Sequence, residues 1–272
     1  VDVLRKTLLP LYLDTKSSTP SAVPPFTFGI FELGGGWLNN NNINYALSKT
    51  LKKNGINVNF APVLDLSNNP ESFIAQKERC FSKDPKKVIA HSKEFINAHL
   101  DNNILTVGKH FPGQGSGKGD THNGFIDISK TWSVADLLPF AEMIESNHLD
   151  MIMISHVHNN MFDSKYPSSL SKETITNCLR NDLNFKGVII CDDPSMKAIS
   201  NHYELEEMFA LMINAGIDLF CLGNNLDYDI NYIPKAIKAI CRLIESDKIS
   251  IDRLNHSIER INNLKKKFDL YE

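Results

Sequence analysis

Short apolar runs alternate along this chain with longer segments of helical period, and that alternation constrains the fold more than any other feature. Strand candidates are residues 26–31, 58–61, 105–109, 151–154, 187–191 and 218–222. Helical patterns occupy residues 42–53, 85–102, 134–147, 172–183, 204–215, 233–246 and 251–268. Strand, helix, strand in repetition means a parallel sheet with right-handed crossovers. Pro85, just inside its helix after Asp84, and Ser171, ahead of Lys172-Glu173-Thr174, supply helix-start signals. The Ser/Pro-rich segment 17–25 and the Asn-rich patch 39–42 read as loops.

The placement of reactive side chains decides between a closed barrel and an open sheet. Lys109 and His110 end one strand candidate, His156 and His158 follow another, and Asp192 and Asp193 end a third. Charge at the carboxyl end of a buried strand is costly unless it is used or paired. Such groups at the ends of several strands, converging on one face, are what a (β/α)8 active site requires. A doubly wound sheet would concentrate them at one switch point beside a Gly-rich phosphate loop. The Gly34-Gly35-Gly36 run lacks the rest of that fingerprint and reads as a tight turn. The polar, Gly-rich residues 113–124 read as a catalytic loop at the barrel mouth.

Composition removes several function classes. With 272 residues, 42% of them hydrophobic, residues 1–272 can form one α/β barrel domain with a full core. A net charge of −3, with no basic run interleaved with aromatics, gives no reason to expect nucleic acid. Lys265-Lys266-Lys267 falls near a helix end, where cations oppose the dipole. Five widely spaced cysteines, none paired at metal-ligand spacing, read as free thiols of a reducing, cytoplasmic compartment. No segment approaches membrane-spanning length, and the first residues lack a signal-peptide layout, so no membrane partner is expected.

Four motifs then combine. They are Gly55-Ile56-Asn57-Val58-Asn59-Phe60-Ala61-Pro62-Val63-Leu64-Asp65, Arg79-Cys80-Phe81-Ser82-Lys83-Asp84-Pro85, the stretch from Lys109-His110-Phe111-Pro112-Gly113 to Asp120-Thr121-His122, and Gly187-Val188-Ile189-Ile190-Cys191-Asp192-Asp193-Pro194-Ser195-Met196. Their order and spacing, over residues 26–225, resemble glycoside hydrolase family 3, in particular its single-domain β-N-acetylglucosaminidases of bacterial cell-wall recycling. The resemblance implies a TIM-type (β/α)8 barrel that hydrolyses terminal β-linked N-acetylglucosamine from glycans or muropeptides, with no cofactor and no metal.

The resemblance also implies roles. Asp192 matches the nucleophile that forms a covalent glycosyl-enzyme with retention. His122 matches the acid/base, with Asp120 orienting its imidazole; an ordinary histidine pKa of ~6.5 suits that task. Arg79, Lys109 and His110 match positions that bind sugar hydroxyls, and His156 lines the pocket. Bland alternatives stand beside these roles: Asp192 as a helix N-cap, Asp120 as an Asx-turn residue, His122 as a solvated side chain, and His158 as an exposed one.

Departures from the family pattern are specific. Phe31 stands where the family carries a sugar-binding carboxylate, with Glu32 as its deputy only if the strand has ended or bulged. Gln114, Ser116 and Pro194 replace His, Asp and Leu of the family pattern. The family has two strands before the one matched at residues 26–31, so the barrel lacks its first two strands in this chain, or upstream sequence or a partner completes it. The alternatives weighed are a phosphorylase using the same site, a sugar-binding or scaffold relative, and a metal-dependent hydrolase built on His156, His158 and Asp192.

Overall fold

A computed structural model describes residues 28–29, 41–122, 124–224 and 228–270. Its sheet has six parallel strands in sequential order: β1 (Phe28–Gly29), β2 (Val58–Asn59), β3 (Leu105–Phe111), β4 (Met151–Ile154), β5 (Val188–Cys191) and β6 (Leu219–Phe220). Sequential order excludes the doubly wound sheet, whose strand order reverses at a switch point. Every residue of β3, β4 and β5 is buried. That is why these strands read as continuous apolar runs rather than as alternation: a parallel sheet is covered on both faces.

The covering helices are α1 (Asn41–Lys53), α2 (Pro85–Leu100), α3 (Leu138–Glu145), α4 (Glu173–Asp182), α5 (Leu205–Ala215), α6 (Tyr232–Glu245) and α7 (Ile251–Lys267). Both start signals operate. Asp84 Oδ1 accepts the Lys86 N–H at 3.0 Å, and Ser171 Oγ accepts the Thr174 N–H at 3.0 Å. α4 is wound wide, as a π-helix, and at its end the Leu183 N–H reaches back five residues to the Cys178 carbonyl. Aromatic edges lock helices to strands: Phe140 of α3 meets Phe111 of β3 at 5.3 Å, and Phe209 of α5 meets Phe220 of β6 at 5.0 Å.

Several boundaries differ from the sequence expectation. The helix expected over 134–147 divides into a 3-10 turn, Val134–Leu137, and α3, because Pro139 in the first turn has no N–H to continue a single ladder. The strand expected over 58–61 stops at Asn59, where the Ala61 N–H turns back onto the Asn59 carbonyl at 2.8 Å. β3 runs two residues past its expected end, to Phe111. Single-turn helices at Phe73–Gln76 and Lys197–Ser200 are too short to leave a periodic signal. Of the strand expected over 26–31 only Phe28–Gly29 falls among the described residues; the Gly34-Gly35-Gly36 turn lies outside them.

Two buried polar centres brace this frame. Asp218, just before β6, receives the Arg180 guanidinium at 2.6 Å, Arg260 at 3.0 Å, the Ser257 hydroxyl at 2.6 Å and the Ile189 N–H at 3.0 Å. It thereby ties α4, β5 and α7 together at the amino ends of the strands. His99 of α2 stacks on Phe95, donates from Nδ1 to the Phe95 carbonyl at 2.8 Å and meets Asn59 Nδ2 through Nε2 at 3.1 Å. A carbonyl only accepts and an amide nitrogen only donates, so this ring is neutral.

Burial holds the His99 pKa down at about 4, against the backbone hydrogen bond that raises it. Between that value and the ordinary 6.5 the unfolded chain binds more protons than the folded one. The stabilisation is complete above pH ~6.5 and is lost as pH falls towards ~4, by as much as about 3 kcal/mol. Urea unfolding from pH 7 to pH 4 is expected to record this loss, and His99→Gln to flatten it. A parent curve independent of pH over that window would refute the assignment.

Candidate active site

The site is built where β3, β4 and β5 end. The Lys109 carbonyl accepts the Leu64 N–H at 2.6 Å and the Lys109 N–H reaches the Pro62 carbonyl at 3.2 Å, so residues 62–64 extend the sheet alongside β3. This brings Asp65 under the chain turn after β3. Asp65 is completely buried; its carboxylate accepts His110 Nδ1 at 2.6 Å, the His110 N–H at 3.2 Å and the Gln114 N–H at 2.6 Å. Nδ1 of His110 is therefore the protonated nitrogen, and Nε2 is the ring's other polar atom. Lys109 and His110 are both buried.

At the end of β5, the Asp192 N–H bonds the Ile154 carbonyl of β4 at 3.0 Å. The Asp192 carboxylate accepts the Asp193 N–H at 2.9 Å. Burial, the largest single influence, pushes the Asp192 carboxyl up. Electrostatic interactions with the His110 and His156 imidazoles, the Asp193 N–H and the Lys109 ammonium group together outweigh it and hold the carboxyl below its ordinary value. Its neighbour goes the other way: burial raises the Asp193 carboxyl, against hydrogen bonds from Ser195. Two adjacent aspartates thus sit in opposite electrostatic environments, and Asp192 is the one kept ionised.

Asp192 does not cap a helix. The helix that follows begins at Lys197, and the Asx-type bond to the Ser195 N–H is made by Asp193. His156 lies beneath this corner with both nitrogens engaged: Nε2 donates to the Asp193 carbonyl at 3.0 Å, and Nδ1 meets the Ser169 hydroxyl at 2.7 Å. Burial lowers the His156 pKa despite Asp192 nearby, so the ring is neutral. His156 braces the corner through both of its ring nitrogens. Among the described residues no three His, Cys, Asp or Glu side chains converge as a metal site would need.

The residues after β3 form a loop that is largely buried over 113–117. Gly115 presses against the backbone of residue 66: a Cβ there would lie 1.8 Å from the Leu66 carbonyl oxygen. Gly113, at φ +114°, packs on Asp136, whose carboxylate accepts the Ser133 N–H at 2.9 Å. Farther along, Asp120 Oδ1 accepts both His122 Nδ1 at 2.6 Å and the His122 N–H at 3.0 Å. Asp120 is therefore an Asx-turn residue and an imidazole partner at once. The His122 side chain is 44% exposed, which lets its Nε2 exchange protons with water.

Several contacts hold this loop, among them the Phe73 N–H on the Gly119 carbonyl at 3.3 Å and Asn69 Nδ2 on the Ser116 carbonyl at 3.1 Å. The Ala198 N–H, six residues after Asp192, reaches the Thr121 carbonyl at 3.3 Å. Gln114 Nε2 donates to Thr121 Oγ1 at 3.2 Å, and the Phe73 ring meets the His122 ring edge-on at 6.1 Å. Phe73 belongs to the short helix that leads to Arg79, which is half-buried with its N–H on the Ile74 carbonyl.

The other sequence candidates fall elsewhere. Glu32 and Phe31 lie outside the described residues. His158 is buried rather than exposed, because its backbone pairs with the strand-like segment around Asp127 through bonds to Ile126 and Ile128. Sequence reasoning assigned no role to Asp65, Ser169 or Tyr232. Burial raises the Tyr232 hydroxyl, and Asp193, Cys191 and Cys221 raise it further, which places it at the β5 and β6 ends. Only the carboxylate closing the 55–65 run could have drawn attention to Asp65; its partners are 45 and 49 residues away.

Comparison with known proteins follows the same lines. Residues 39–264 match the description "Glycosyl hydrolase family 3 N terminal domain". The chain is 35% identical over 192 residues to the beta-hexosaminidase of Photobacterium profundum, covering 70% of this chain and 54% of that protein. It is 30% identical over 238 residues to Beta-hexosaminidase A of Pseudoalteromonas piscicida, covering 82% and 40% respectively. The solved family 3 beta-N-acetylglucosaminidase of Paenibacillus sp. str. FPU-7 superposes with a TM-score of 0.78 at 28% identity, over 87% of this chain and 45% of that one. The chain spans about half the length of the curated relatives it matches.

The hydrogen bonds at Asp65 give a direct test of how the β3 loop is held. In Asp65→Asn one acceptor becomes a donor facing donors, so either His110 or Gln114 loses its partner. The expected cost is about 2–4 kcal/mol in urea unfolding. An unchanged midpoint would show that Asp65 does not anchor the loop.

Proposed function

Because the chain belongs to glycosyl hydrolase family 3, we propose that it removes terminal β-linked N-acetylglucosamine from glycans or muropeptides by two-step retention through Asp192. The observation that carries this reading is the division of labour around Asp192. One carboxylate is held ionised by His110, His156 and Lys109, while a His–Asp couple sits on a loop docked six residues downstream of it. The six parallel strands fit the greater part of a (β/α)8 barrel, with the site at the carboxyl ends of β3, β4 and β5. The described cysteines, all free thiols, fit the cytoplasm.

The steps follow from the atoms. An oxygen of Asp192 attacks the anomeric carbon as the bond to the glycosidic oxygen breaks. Protonated His122 donates its Nε2 proton to that oxygen, and Asp120, bonded to Nδ1, stabilises the imidazolium beforehand and fixes the ring's orientation. The leaving group departs as an alcohol, and Asp192 is left esterified to the sugar. Neutral His122 then takes a proton from water, whose oxygen attacks the same carbon and releases the Asp192 carboxylate. Lys109, His110 and Arg79 are assigned to the sugar hydroxyls, and Glu32 to the place of the carboxylate missing at Phe31.

Release of 4-nitrophenol from the β-N-acetylglucosaminide tests the reading. Asp192→Ala is expected to abolish turnover, and His122→Ala to reduce it by about 10²–10⁴. The first-released sugar is expected to be the β-anomer by NMR. Because Asp192 is held below its ordinary value, its protonation does not set the acid limb of kcat/KM in the range pH 5–7. Full activity in Asp192→Ala, or first release of the α-anomer, would overturn the mechanism.

A further inference from the structure

The Asp120–His122 couple is closed on itself: the bonds from His122 Nδ1 and from the His122 N–H both end on Asp120 Oδ1. They fix the imidazole relative to Asp120, and its distance from Asp192 has to be set by other contacts. The residue between the two members of the couple supplies such contacts. Thr121 is only 1% exposed and is gripped on two sides. Its carbonyl accepts the Ala198 N–H at 3.3 Å, and its Oγ1 accepts Gln114 Nε2 at 3.2 Å.

We propose that Gln114 is a positioning residue for His122: by holding Thr121 Oγ1 it sets where the imidazole stands for the proton transfer. This rests on the hydrolase reading of Asp192 and His122. Gln114 can serve as a reference point because it is itself fixed. Its N–H bonds Asp65 Oδ1 at 2.6 Å, and its carbonyl accepts the Gly117 N–H at 3.0 Å. The other oxygen of the same Asp65 carboxylate accepts His110 Nδ1 at 2.6 Å. One buried carboxylate thus places His110 at the end of β3 and, by way of Gln114 and Thr121, the loop segment that carries His122.

Burial gives this link its effect. Water competes for both partners of an exposed hydrogen bond, whereas cutting a buried one leaves donor and acceptor unpaired. Gln114 and Thr121 are both buried. Among the described residues Gln114 Oε1 has no partner, so the bond to Thr121 is the one hydrogen bond of this side chain, and its loss can be read separately from the backbone contacts. A carboxamide also donates without carrying charge, so the link adds no ion beside the Asp120–His122 couple. Glutamine stands here where the family pattern has histidine, so the link is particular to this sequence. A general acid displaced by about 1 Å loses on the order of 10²-fold in rate, but only where the leaving group needs its proton.

Gln114→Met removes the amide at similar size, Thr121→Val removes the hydroxyl, and Thr121→Ser keeps it. In N,N′-diacetylchitobiose the leaving group is an alcohol that needs the proton; in the 2,4-dinitrophenyl β-N-acetylglucosaminide it is a phenolate that does not. For the disaccharide, Gln114→Met and Thr121→Val are each expected to lower kcat/KM by about 10–10²-fold, chiefly through kcat, and for the dinitrophenyl substrate by less than about threefold. The double variant is expected to lose no more than either single one, and Thr121→Ser to stay near the parent. Amide exchange followed by NMR is expected to quicken about tenfold at Ala198 in Gln114→Met, with the amides of β3 to β5 unchanged. Equal losses on the two substrates, additive losses in the double variant, or unchanged exchange at Ala198 would overturn the assignment. If the parent chain cleaves neither substrate the hydrolase reading fails, and the exchange at Ala198 still decides whether Gln114 holds Thr121 in place.

Discussion

A parallel sheet whose strands are buried along their whole length can present charge only at its ends. In this protein β3, β4 and β5 contribute no exposed residue. The two ends use charge differently. At the amino ends, Asp218 is saturated by Arg180, Arg260 and Ser257, and no bonding capacity is left for a ligand. At the carboxyl ends, Asp192 is held ionised by the His110 and His156 imidazoles and Lys109 and accepts one backbone N–H. Saturation makes a brace, and incomplete saturation leaves Asp192 free for the role proposed for it.

The contrast between Asp192 and Asp193 follows from the same geometry. Burial acts on both carboxyls in the same sense. Asp192 is compensated by His110, His156 and Lys109, while Asp193 receives Ser195 and the repulsion of Asp192. His156 links the pair, because its Nε2 is committed to the Asp193 carbonyl and its Nδ1 to Ser169. A ring bonded on both sides holds its position, and a fixed dipole stabilises charge without reorganising.

The loop after β3 transmits order from the sheet to His122, the residue proposed as acid/base. Asp65 fixes its first residues, Gly115 lets it lie against the backbone at Leu66, and Thr121 docks onto Ala198. His122 itself stays partly open to water.

Much of this was legible in the sequence because it depends on local pattern. Continuous apolar runs marked all six strands, the spacing of Asp120 and His122 put a carboxylate within reach of an imidazole, and Asp84 and Ser171 announced their helices. What required the tertiary structure was every relation across long separations. Nothing near Asp65 in the chain indicates His110, and nothing near Asp218 indicates Arg260. His158 looked exposed in a polar loop, yet pairing with the segment around Asp127 buries it. Periodicity determined which residues enter the sheet, since it reflects the geometry of a single strand or helix. Which charges face one another was decided only when the sheet brought strand ends together, because burial and Coulomb interaction depend on distance in space rather than along the chain.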